Sequence, residues 1–467
     1  MSKKTRLALL SGEPTGGARP ARWPQFKEAD IAAVVEILQT GRTVGLGRTN
    51  PVIEKAEKAL SKYHGGRQVM VVNSGHAALM SALMGLEVGP GDEVITTPYT
   101  WGASTSCILH VGAIPVFVDV DPVTGLLDPK KVEAAVTRKT KAILAVHLYG
   151  QPADMPAIQR LARKRGLLVI EDGSQSHGAT IDGELVGSFS DAAGFSCMGG
   201  KLLATSEAGY MLTPNEEVFW KAAMMGQHYG RSAEPGFPEE YKPFVDSLVF
   251  TFRLSPLIAA LFPGQLRGLD RQVKARQQNA AVFREALADC AIVELPQYRQ
   301  GVLPGYHMLT MNFRSGKAGI RRDTFLAALR AEGVGAFAYV PSAIPTWKRL
   351  HWQGYEGPVP FWLEGLKRAK VDYSRVELPH AEHKIAHGVE MGWNNYFRPD
   401  AAGMRRMARA FLKVQDNLGA LREWQDDEDA RARRKSGEES SVIRAARAAA
   451  AGYARPGTAG GKQGRKS

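Results

Sequence analysis

Short apolar runs alternate with amphipathic stretches of helical length through the first half of the chain. The runs at 69–72, 93–96, 115–120, 142–148 and 167–170 predict strands, and the segments between them predict helices. Strands that alternate with helices favour a mostly parallel sheet covered by helices on both faces. Ligands in such folds lie beyond the carboxyl ends of the strands, so the residues that follow each strand are the first candidates for chemistry.

The hydrophobic pattern weakens beyond Ala208 but still predicts a smaller α+β region. A long helix over 254–277 is interrupted at Pro263-Gly264, which predicts a kink or a boundary there. Further helices are predicted at 324–332 and 401–418, with a strand at 336–340.

These patterns divide the chain into four parts. Residues 1–25 are rich in Gly, Pro and Arg and predict an extended arm that lies on a partner subunit. A large α/β domain is expected over 26–265, where helices are predicted at 27–41 and 52–63 ahead of the first strand. A smaller α+β domain is expected over 266–424. Residues 425–467 have too little apolar bulk to fold and predict a disordered basic tail.

Composition and charge narrow the class of protein. The net charge of +13 is partly concentrated after Trp424, and the sequence contains no nucleic-acid-binding motif. The three cysteines, Cys107, Cys197 and Cys290, are widely spaced in apolar segments, which predicts buried reduced thiols and neither a disulfide framework nor a metal site. No apolar run is long enough for a signal peptide or a membrane span, so we expect a cytoplasmic protein that does not bind membranes.

The first candidate for chemistry is Asn73-Ser74-Gly75-His76-Ala77, where a predicted strand becomes a helix. Small residues at such a junction leave backbone N–H groups free to bind an anion at the positive end of the helix dipole. The alternative is a turn that carries Ser-Gly for its geometry alone.

Trp101 follows the next predicted strand, in Thr97-Pro98-Tyr99-Thr100-Trp101. An indole in this position can lie against a planar heteroaromatic ring. The alternative is a tryptophan of the hydrophobic core.

A third candidate is Glu171-Asp172-Gly173-Ser174-Gln175-Ser176-His177-Gly178, at the end of another apolar strand. A carboxylate is costly in this position unless it is paired, and Asp172 could pair with a protonated ring nitrogen. Gln175 and His177 then offer polar groups to ring substituents or substrate. The alternative is that Asp172 caps the next helix.

Lys201 ends the small-residue run Gly194-Phe195-Ser196-Cys197-Met198-Gly199-Gly200-Lys201. A lysine amine held by a tight turn can form an imine with an aldehyde cofactor and so act as a reversible covalent tether. The alternative is a solvated surface lysine after a Gly-Gly turn. An anion cradle, a stacking aromatic, a carboxylate for a ring nitrogen and a tethering lysine together match what pyridoxal 5′-phosphate (PLP) requires.

With these motifs the chain from about Trp23 to Leu418 resembles the DegT/DnrJ/EryC1/StrS family of sugar and cyclitol aminotransferases. The stretches that carry the resemblance lie at the predicted strand ends: Ser74-Gly75 with Ala78-Leu79, residues 88–95, residues 147–155, Glu171-Asp172 with His177-Gly178, and Phe195-Ser196 with Lys201. The resemblance implies the fold-type-I PLP architecture, a large domain with a mostly parallel sheet and a smaller C-terminal domain, and a homodimer with its sites at the interface.

The resemblance also implies roles for single residues. Lys201 would form the aldimine with PLP and shuttle the proton. Asp172 would pair with the pyridine nitrogen, Trp101 would stack on the ring, and Gln175 would lie near the ring hydroxyl. The phosphate would be held by Gly75, His76 and Ser196, and His177 would face the substrate.

Three departures from the family pattern affect these roles. His76 replaces the usual threonine after Ser-Gly, and Ser206-Glu207-Ala208-Gly209 replaces Gly-Glu-Gly-Gly. Thr251-Phe252-Arg253 replaces Asn-Tyr-Arg, so Thr251 takes the place of the asparagine that reaches the neighbouring subunit's phosphate. Arg253 remains a candidate for a substrate carboxylate, with a structural salt bridge as the alternative.

The leading functional hypothesis is an aminotransferase that moves an amino group from glutamate or glutamine to a keto sugar or keto cyclitol. Gly200-Lys201-Leu202-Leu203 is closer to the aminohydroxybenzoate-synthase and inosose-aminotransferase branches than to the nucleotide-sugar branches. The alternatives are a PLP-binding or sensory protein without turnover, an aminohydroxybenzoate-synthase-like dehydrating enzyme, and a nucleic-acid-associated role for the basic tail.

Overall fold

The computed structural model describes residues 5–17, 21–392 and 396–432. Its largest element is a seven-stranded sheet with the strand order β1-β9-β8-β5-β4-β2-β3. The strands of the protein are β1 Gln68–Val72, β2 Glu93–Thr96, β3 Ile114–Phe117, β4 Thr140–Val146, β5 Leu168–Asp172, β6 Thr180–Ile181, β7 Glu184–Leu185, β8 Ala192–Ser196, β9 Gly209–Thr213, β10 Val293–Glu294, β11 Val302–Leu303, β12 Leu309–Phe313, β13 Ala336–Phe337 and β14 Gly388–Met391.

Helices cover both faces of the large sheet and also pack against a smaller one. They are α1 Glu28–Thr40, α2 Pro51–Tyr63, α3 Gly75–Gly85, α4 Ala103–His110, α5 Pro129–Ala134, α6 Met155–Arg165, α7 Glu216–Gly226, α8 Pro256–Ala259, α9 Phe262–Ala286, α10 Ser315–Ala318, α11 Arg322–Ala331, α12 Trp362–Arg368, α13 Pro379–His387, α14 Ala401–Asp416 and α15 over 418–432.

The alternating pattern of the first half is confirmed. Neighbouring strands β3, β2, β4, β5 and β8 run parallel, and β9 lies antiparallel to both β8 and β1. The apolar runs form strands because both faces of this sheet are covered, and β4 is buried at nearly every position. Since β1 points the same way as the parallel strands, the carboxyl ends of β1, β2, β5 and β8 meet at one edge of the sheet.

Local capping fixes where several helices begin. The side chains of Asn50, Asp128 and Asp154 each accept a hydrogen bond from a backbone N–H of the first turn, and a proline follows within two residues. A capping side chain satisfies an N–H that has no partner within the helix, while proline needs no such partner at the first turn. The break expected at Pro263-Gly264 lies next to the boundary between α8 and α9, and Pro263 is the second residue of α9.

The smaller sheet has the order β10-β12-β14-β13, with all three pairings antiparallel. Its apolar core is shared with α9, α11 and α14 and is separate from the cores of the large sheet. Only the strand near residue 336 was predicted from the sequence, because the other strands are short or interrupted. The division expected between residues 265 and 266 falls inside α9, which begins against the large sheet and ends in the core of the smaller one.

Residues 5–17 of the N-terminal arm lie on the smaller domain of their own chain, and the expected contact of the arm with a partner subunit stays a prediction. Leu7 is buried in that domain's core. The carboxylate of Glu332 accepts hydrogen bonds from the backbone N–H of Ala8 and of Thr15, both at 2.8 Å. An apolar anchor and a buried carboxylate therefore hold the segment in place.

The expectation of a disordered tail over 425–467 is wrong for its first residues. Residues 425–432 belong to α15, where Gln425 accepts hydrogen bonds from the Arg321 backbone N–H and the Thr324 hydroxyl. Arg321 also forms a bidentate ion pair with Asp429. The side chains of residues 425 and 429 supply polar contacts to α11, which a count of apolar bulk does not detect. The remaining tail, 433–467, lies outside the described residues.

The three cysteines are buried and unpaired, as predicted. In the described part of the chain, no helix combines the length and apolar character needed to cross a bilayer.

Candidate active site

A glycine contact joins the end of β1 to the end of β8. Gly75 is the first residue of α3, and Ser74 caps that helix by accepting a hydrogen bond from the Ala77 N–H at 3.1 Å. A Cβ atom on Gly75 would lie 2.4 Å from the Cβ of Ser196, which no side chain can occupy without a shift of the backbone. The glycine therefore lets Ser196 approach the positive end of α3, where the first N–H groups have no partner within the helix.

His76, the second residue of α3, turns its side chain toward α4. Its Nε2 lies 2.9 Å from Nδ1 of His110, and its Nδ1 lies 3.3 Å from the Ser106 hydroxyl. Burial, with the nearby His110, lowers the pKa of His76 to about 4, so the imidazole is neutral at physiological pH. The imidazole is engaged by α4, which leaves the His76 backbone N–H for the anion cradle.

Asp172, the last residue of β5, is held by two donors. Its Oδ2 accepts a hydrogen bond from the Ser104 hydroxyl at 2.7 Å, and its Oδ1 accepts one from the Ser174 N–H at 3.1 Å. The chain does not enter a helix after β5, since the next helix in the described residues is α7. The alternative that Asp172 caps a helix is therefore wrong, and the buried carboxylate points to a site at the sheet edge.

Lys201 lies three residues beyond Met198, whose carbonyl accepts the Lys201 backbone N–H at 2.8 Å. The side chain is partly buried, and its amine makes no hydrogen bond within the described residues. Desolvation lowers the pKa of Lys201, while the negative charge of Asp172 opposes this effect. Because the side chain is partly buried and desolvation lowers its pKa, the alternative of a solvated surface lysine is excluded for this position.

His177 and Gln175 follow β5 and lie near the same edge of the large sheet. The Nε2 atom of His177 is 3.8 Å from the Cys197 sulfur, and its Nδ1 is buried with no hydrogen-bond partner in the described structure. Burial and the nearby Lys201 lower the pKa of His177 well below its usual value. The amide of Gln175 accepts from the Tyr149 N–H at 2.7 Å and donates to the Tyr339 hydroxyl at 3.1 Å.

Trp101 is 65% exposed, so it does not belong to the hydrophobic core. Its carbonyl accepts the Ser104 N–H at 3.2 Å, and the Ser104 side chain in turn binds Asp172. Beside the indole lies an open cleft of about 400 Å³. The cleft is mostly apolar and is lined by residues that include Trp101, Leu109, Trp347, Arg349, Leu350 and Trp362.

Thr251 and Arg253 lie next to the end of β1. The Asn73 N–H donates to the Phe252 carbonyl at 2.9 Å, and Val72 forms an isolated bridge with Arg253. Both side chains are exposed, and Arg253 has no acidic partner among the described residues. Thr251 has a φ of 58° and Ser206 a φ of 82°, a left-handed conformation that disfavours β-branched residues such as threonine.

The structure thus brings Gly75, Ser196, Asp172, Lys201 and His177 to one place. Three contributors were missed by sequence reasoning: Ser104 and Ser174, which orient Asp172 or Ser196, and Tyr339, which binds Gln175. Ser104 follows Trp101 closely and Ser174 lies inside a motif, so proximity to those motifs was the only signal for them. Tyr339 comes from the smaller domain, and its sequence carries no local signal of this contact.

Residues 24–358 match the profile of the DegT/DnrJ/EryC1/StrS aminotransferase family. The chain belongs to this family. A relative from Geobacillus stearothermophilus, described as a pleiotropic regulatory protein, is 34% identical over 78% of this chain and 93% of its own length. The L-glutamine:2-deoxy-scyllo-inosose aminotransferase of Streptoalloteichus tenebrarius is 33% identical over 89% of this chain and 99% of its own.

A solved structure of the Bacillus subtilis protein NtdA with its bound cofactor PMP has the same fold. It superposes with a TM-score of 0.69 at 26% identity and covers 83% of this chain and 82% of its own. As a member of this aminotransferase family, the protein is a PLP-dependent aminotransferase. The predictions of the fold class, the family, the cofactor and the enzyme class are confirmed.

The residues at the sheet edge fit PLP. The close approach of Gly75 to Ser196 leaves backbone N–H groups for a phosphate, and the fixed carboxylate of Asp172 suits a protonated ring nitrogen. The amine of Lys201 has no competing hydrogen bond in the described structure and a lowered pKa. The unpartnered Nδ1 of His177 is a further buried polar atom that a bound group can satisfy.

Proposed function

We propose that this aminotransferase moves an amino group from glutamate or glutamine to a keto cyclitol or keto sugar, with Lys201 as the residue that holds PLP and transfers the proton. The observation that carries the proposal is a partly buried lysine with a lowered pKa beside a fixed aspartate, at the edge where α3 begins. Bound PLP supplies an aldehyde that condenses with amines and a ring that withdraws electrons from the substrate carbon.

Each residue of the site has a separate task in this proposal. The N–H groups of Gly75 and His76, together with Ser196, bind the phosphate. Asp172, oriented by Ser104 and Ser174, keeps a positive charge on the ring nitrogen.

The remaining side chains act on the ring and on the substrate. Trp101 would cover one face of the ring and exclude water from it, while Gln175 and His177 would offer polar atoms at the ring edge or to the substrate. The neutral amine of Lys201 takes the proton from the α-carbon of the donor and later delivers a proton to the former carbonyl carbon of the acceptor.

A cyclitol acceptor is supported by the match to the inosose aminotransferase, which extends over nearly the full length of both chains. The mostly apolar cleft beside Trp101 is the place for the acceptor in this proposal, because it opens next to the indole. Arg253, exposed and without an acidic partner in the described residues, is the residue that we assign to the carboxylate of the amino donor.

The enzyme acts as a homodimer in the cytoplasm in this proposal. Large apolar side chains are exposed along 225–250, next to Thr251, and they include Met225, Tyr229, Phe244, Leu248 and Phe250. Such a surface is typical of a protein interface. Thr251 would then lie near the phosphate of the partner subunit.

The proposed location in the cytoplasm is supported by the three unpaired cysteines, which suit a reducing compartment.

The test is a single turnover with glutamate in the absence of an acceptor. The enzyme should convert its bound PLP to the pyridoxamine form, which absorbance records, and borohydride should attach the cofactor to the peptide that contains Lys201. Regeneration of the PLP form by a panel of inososes and keto sugars then identifies the acceptor. A cofactor attached to another lysine would contradict the assignment of Lys201.

A further inference from the structure

Three tyrosines connect the large domain to the smaller one behind the site. The rings of Tyr99 and Tyr149 meet edge to face at 6.3 Å, and those of Tyr149 and Tyr339 do so at 5.6 Å. The hydroxyls of Tyr99 and Tyr149 share a hydrogen bond of 2.7 Å. Tyr339 follows β13 of the small sheet, whereas Tyr149 follows β4 of the large one.

The carboxylate of Glu390 lies at the centre of this group. Glu390 belongs to β14 and is fully buried. Its Oε2 accepts the backbone N–H of Tyr339 at 3.0 Å, its Oε1 accepts the Thr310 hydroxyl at 3.0 Å, and the Tyr149 hydroxyl also interacts with it. One side chain therefore fixes Tyr339 and Tyr149 together.

The same two tyrosines hold Gln175. The Tyr149 N–H donates to Oε1 of the Gln175 amide at 2.7 Å, and the Gln175 Nε2 donates to the Tyr339 hydroxyl at 3.1 Å. Tyr339 is also within electrostatic range of Asp172. Both ends of the amide are thus oriented by residues that Glu390 holds.

We propose that Glu390 is a positioning residue of the transamination site, which fixes the Gln175 amide beside the cofactor ring through Tyr339 and Tyr149. This inference rests on the place of Gln175 at the ring proposed above. Because Glu390 comes from the small sheet and Gln175 from the segment after β5 of the large one, the network makes the geometry at the ring depend on how the two sheets are docked. No motif that led to the site includes Glu390 or Tyr339, whereas Tyr149 lies in the stretch 147–155 that carries the resemblance to the family.

Glu390→Gln tests the proposal with little change in shape. An amide keeps one acceptor oxygen but replaces the other with an NH₂ group, so it cannot accept hydrogen bonds from both Thr310 and the Tyr339 N–H. Tyr339→Phe removes only the hydroxyl that binds Gln175, and it serves as the second variant if Glu390→Gln does not fold.

The matched control is Glu332→Gln. Glu332 is also a buried carboxylate of the smaller domain, but its hydrogen bonds go to Ala8, Thr15 and Lys413, away from the site. Both Gln variants should be less stable in urea. A loss of PLP affinity in Glu390→Gln alone then cannot result from lower stability and indicates a positioning effect.

The measurement is the Kd of PLP for the cofactor-free protein, taken from an absorbance titration. Glu390→Gln and Tyr339→Phe should each raise this Kd about tenfold, the effect expected for one lost hydrogen bond in a buried network. The double variant should also lie near tenfold, since both changes act through Gln175. Glu332→Gln should bind PLP as the wild type does.

Unchanged PLP affinity in Glu390→Gln, or effects of the two substitutions that multiply to about a hundredfold, would overturn the positioning role. An equal loss of affinity in Glu332→Gln would overturn it as well, because the effect would then follow stability alone. A wild-type protein that does not bind PLP would instead remove the proposed function and this inference together.

Discussion

Two buried regions of this protein each contain a lysine with a lowered pKa, and they differ in what surrounds the amine. In the smaller domain the Nζ of Lys384 donates to Oδ1 of Asn312 at 2.8 Å, to the Thr310 hydroxyl at 3.1 Å and to the Met311 carbonyl at 3.4 Å. At the edge of the large sheet the amine of Lys201 makes no hydrogen bond within the described residues. Desolvation is the main cause of the lowered pKa in both.

The difference shows how a structural lysine differs from a reactive one. Hydrogen bonds compensate the buried amine of Lys384 for its lost water, whereas the amine of Lys201 has no such bonds in the described residues. All three N–H groups of Lys384 have an oxygen acceptor on β12, so the side chain joins α13 to the small sheet. Lys201 follows two glycines, and the aspartate that raises its pKa, Asp172, is already bound by Ser104 and Ser174. Its amine remains available to a ligand.

The largest expected effect is on the rate of transamination, and it results from the removal of Lys201. Lys201→Ala should lower the rate of transamination by about 10⁴-fold, because the variant has no group to move the proton at the substrate carbon. The rate is measured with glutamate and the acceptor found in the screen. Borohydride should no longer attach PLP to the peptide around residue 201.

The control for this variant is Lys58→Ala, which removes an exposed lysine whose only ion pair among the described residues is with Glu54 on the same helix. Lys58→Ala should keep both the activity and the covalent attachment. Attachment of PLP to Lys384 in wild-type protein would contradict the comparison, since the lysine with three hydrogen-bond acceptors would then be the reactive one.

The second effect is on stability. Lys384→Met should lower the free energy of unfolding by about 3 kcal/mol, because it leaves Asn312 and the nearby Glu390 buried without their cationic partner. Urea denaturation measures this loss, and Lys58→Met should change the stability by less than about 0.5 kcal/mol. Covalent attachment of PLP at Lys201 should persist in folded Lys384→Met.

A third test uses the pH dependence of stability. Desolvation lowers the pKa of Lys384 from 10.5 to about 8, against the opposing charges of Glu390, Asp121 and Glu294. Between these two values the unfolded chain binds a proton that the folded chain does not, so this residue makes the folded state more stable as the pH rises through the window.

The difference in unfolding free energy between wild type and Lys384→Met should therefore grow from pH 8 to pH 10.5, by up to about 3 kcal/mol. Urea denaturation at several pH values gives the difference. A constant difference across this range would show that Lys384 titrates at its ordinary pKa despite its burial.

The smallest effect concerns the charge beside Lys201. Because the carboxylate of Asp172 raises the pKa of this amine against desolvation, Asp172→Asn should lower that pKa further. An amine-labelling reagent applied to the cofactor-free protein across a pH range, followed by peptide mapping, reports the midpoint at Lys201. The midpoint should move to lower pH, while labelling of the exposed Lys58 stays unchanged.

The sequence predicted the reactive region around Lys201 but not the structural region around Lys384. Asp172 ends a strand of the alternating pattern and Gly75 and Lys201 come soon after one, and residues at parallel strand ends meet at one sheet edge. Lys384 lies in a part of the chain where short strands and isolated turns interrupt the hydrophobic period. The direction of the His76 side chain and the helix at 425–432 were missed for a similar reason, since both depend on contacts with other elements.

The sequence by itself determined the alternation of strands and helices, the order of the motifs and the chemistry that they offer, because burial patterns and residue types are properties of near neighbours along the chain. Only the tertiary structure decided which side chains orient the site. Tyr339 and Gln175 are separated by 164 residues, and Lys384 and Thr310 by 74. Hydrogen bonds across such separations form only when two sheets are docked in one arrangement, and no local period of the sequence encodes that arrangement.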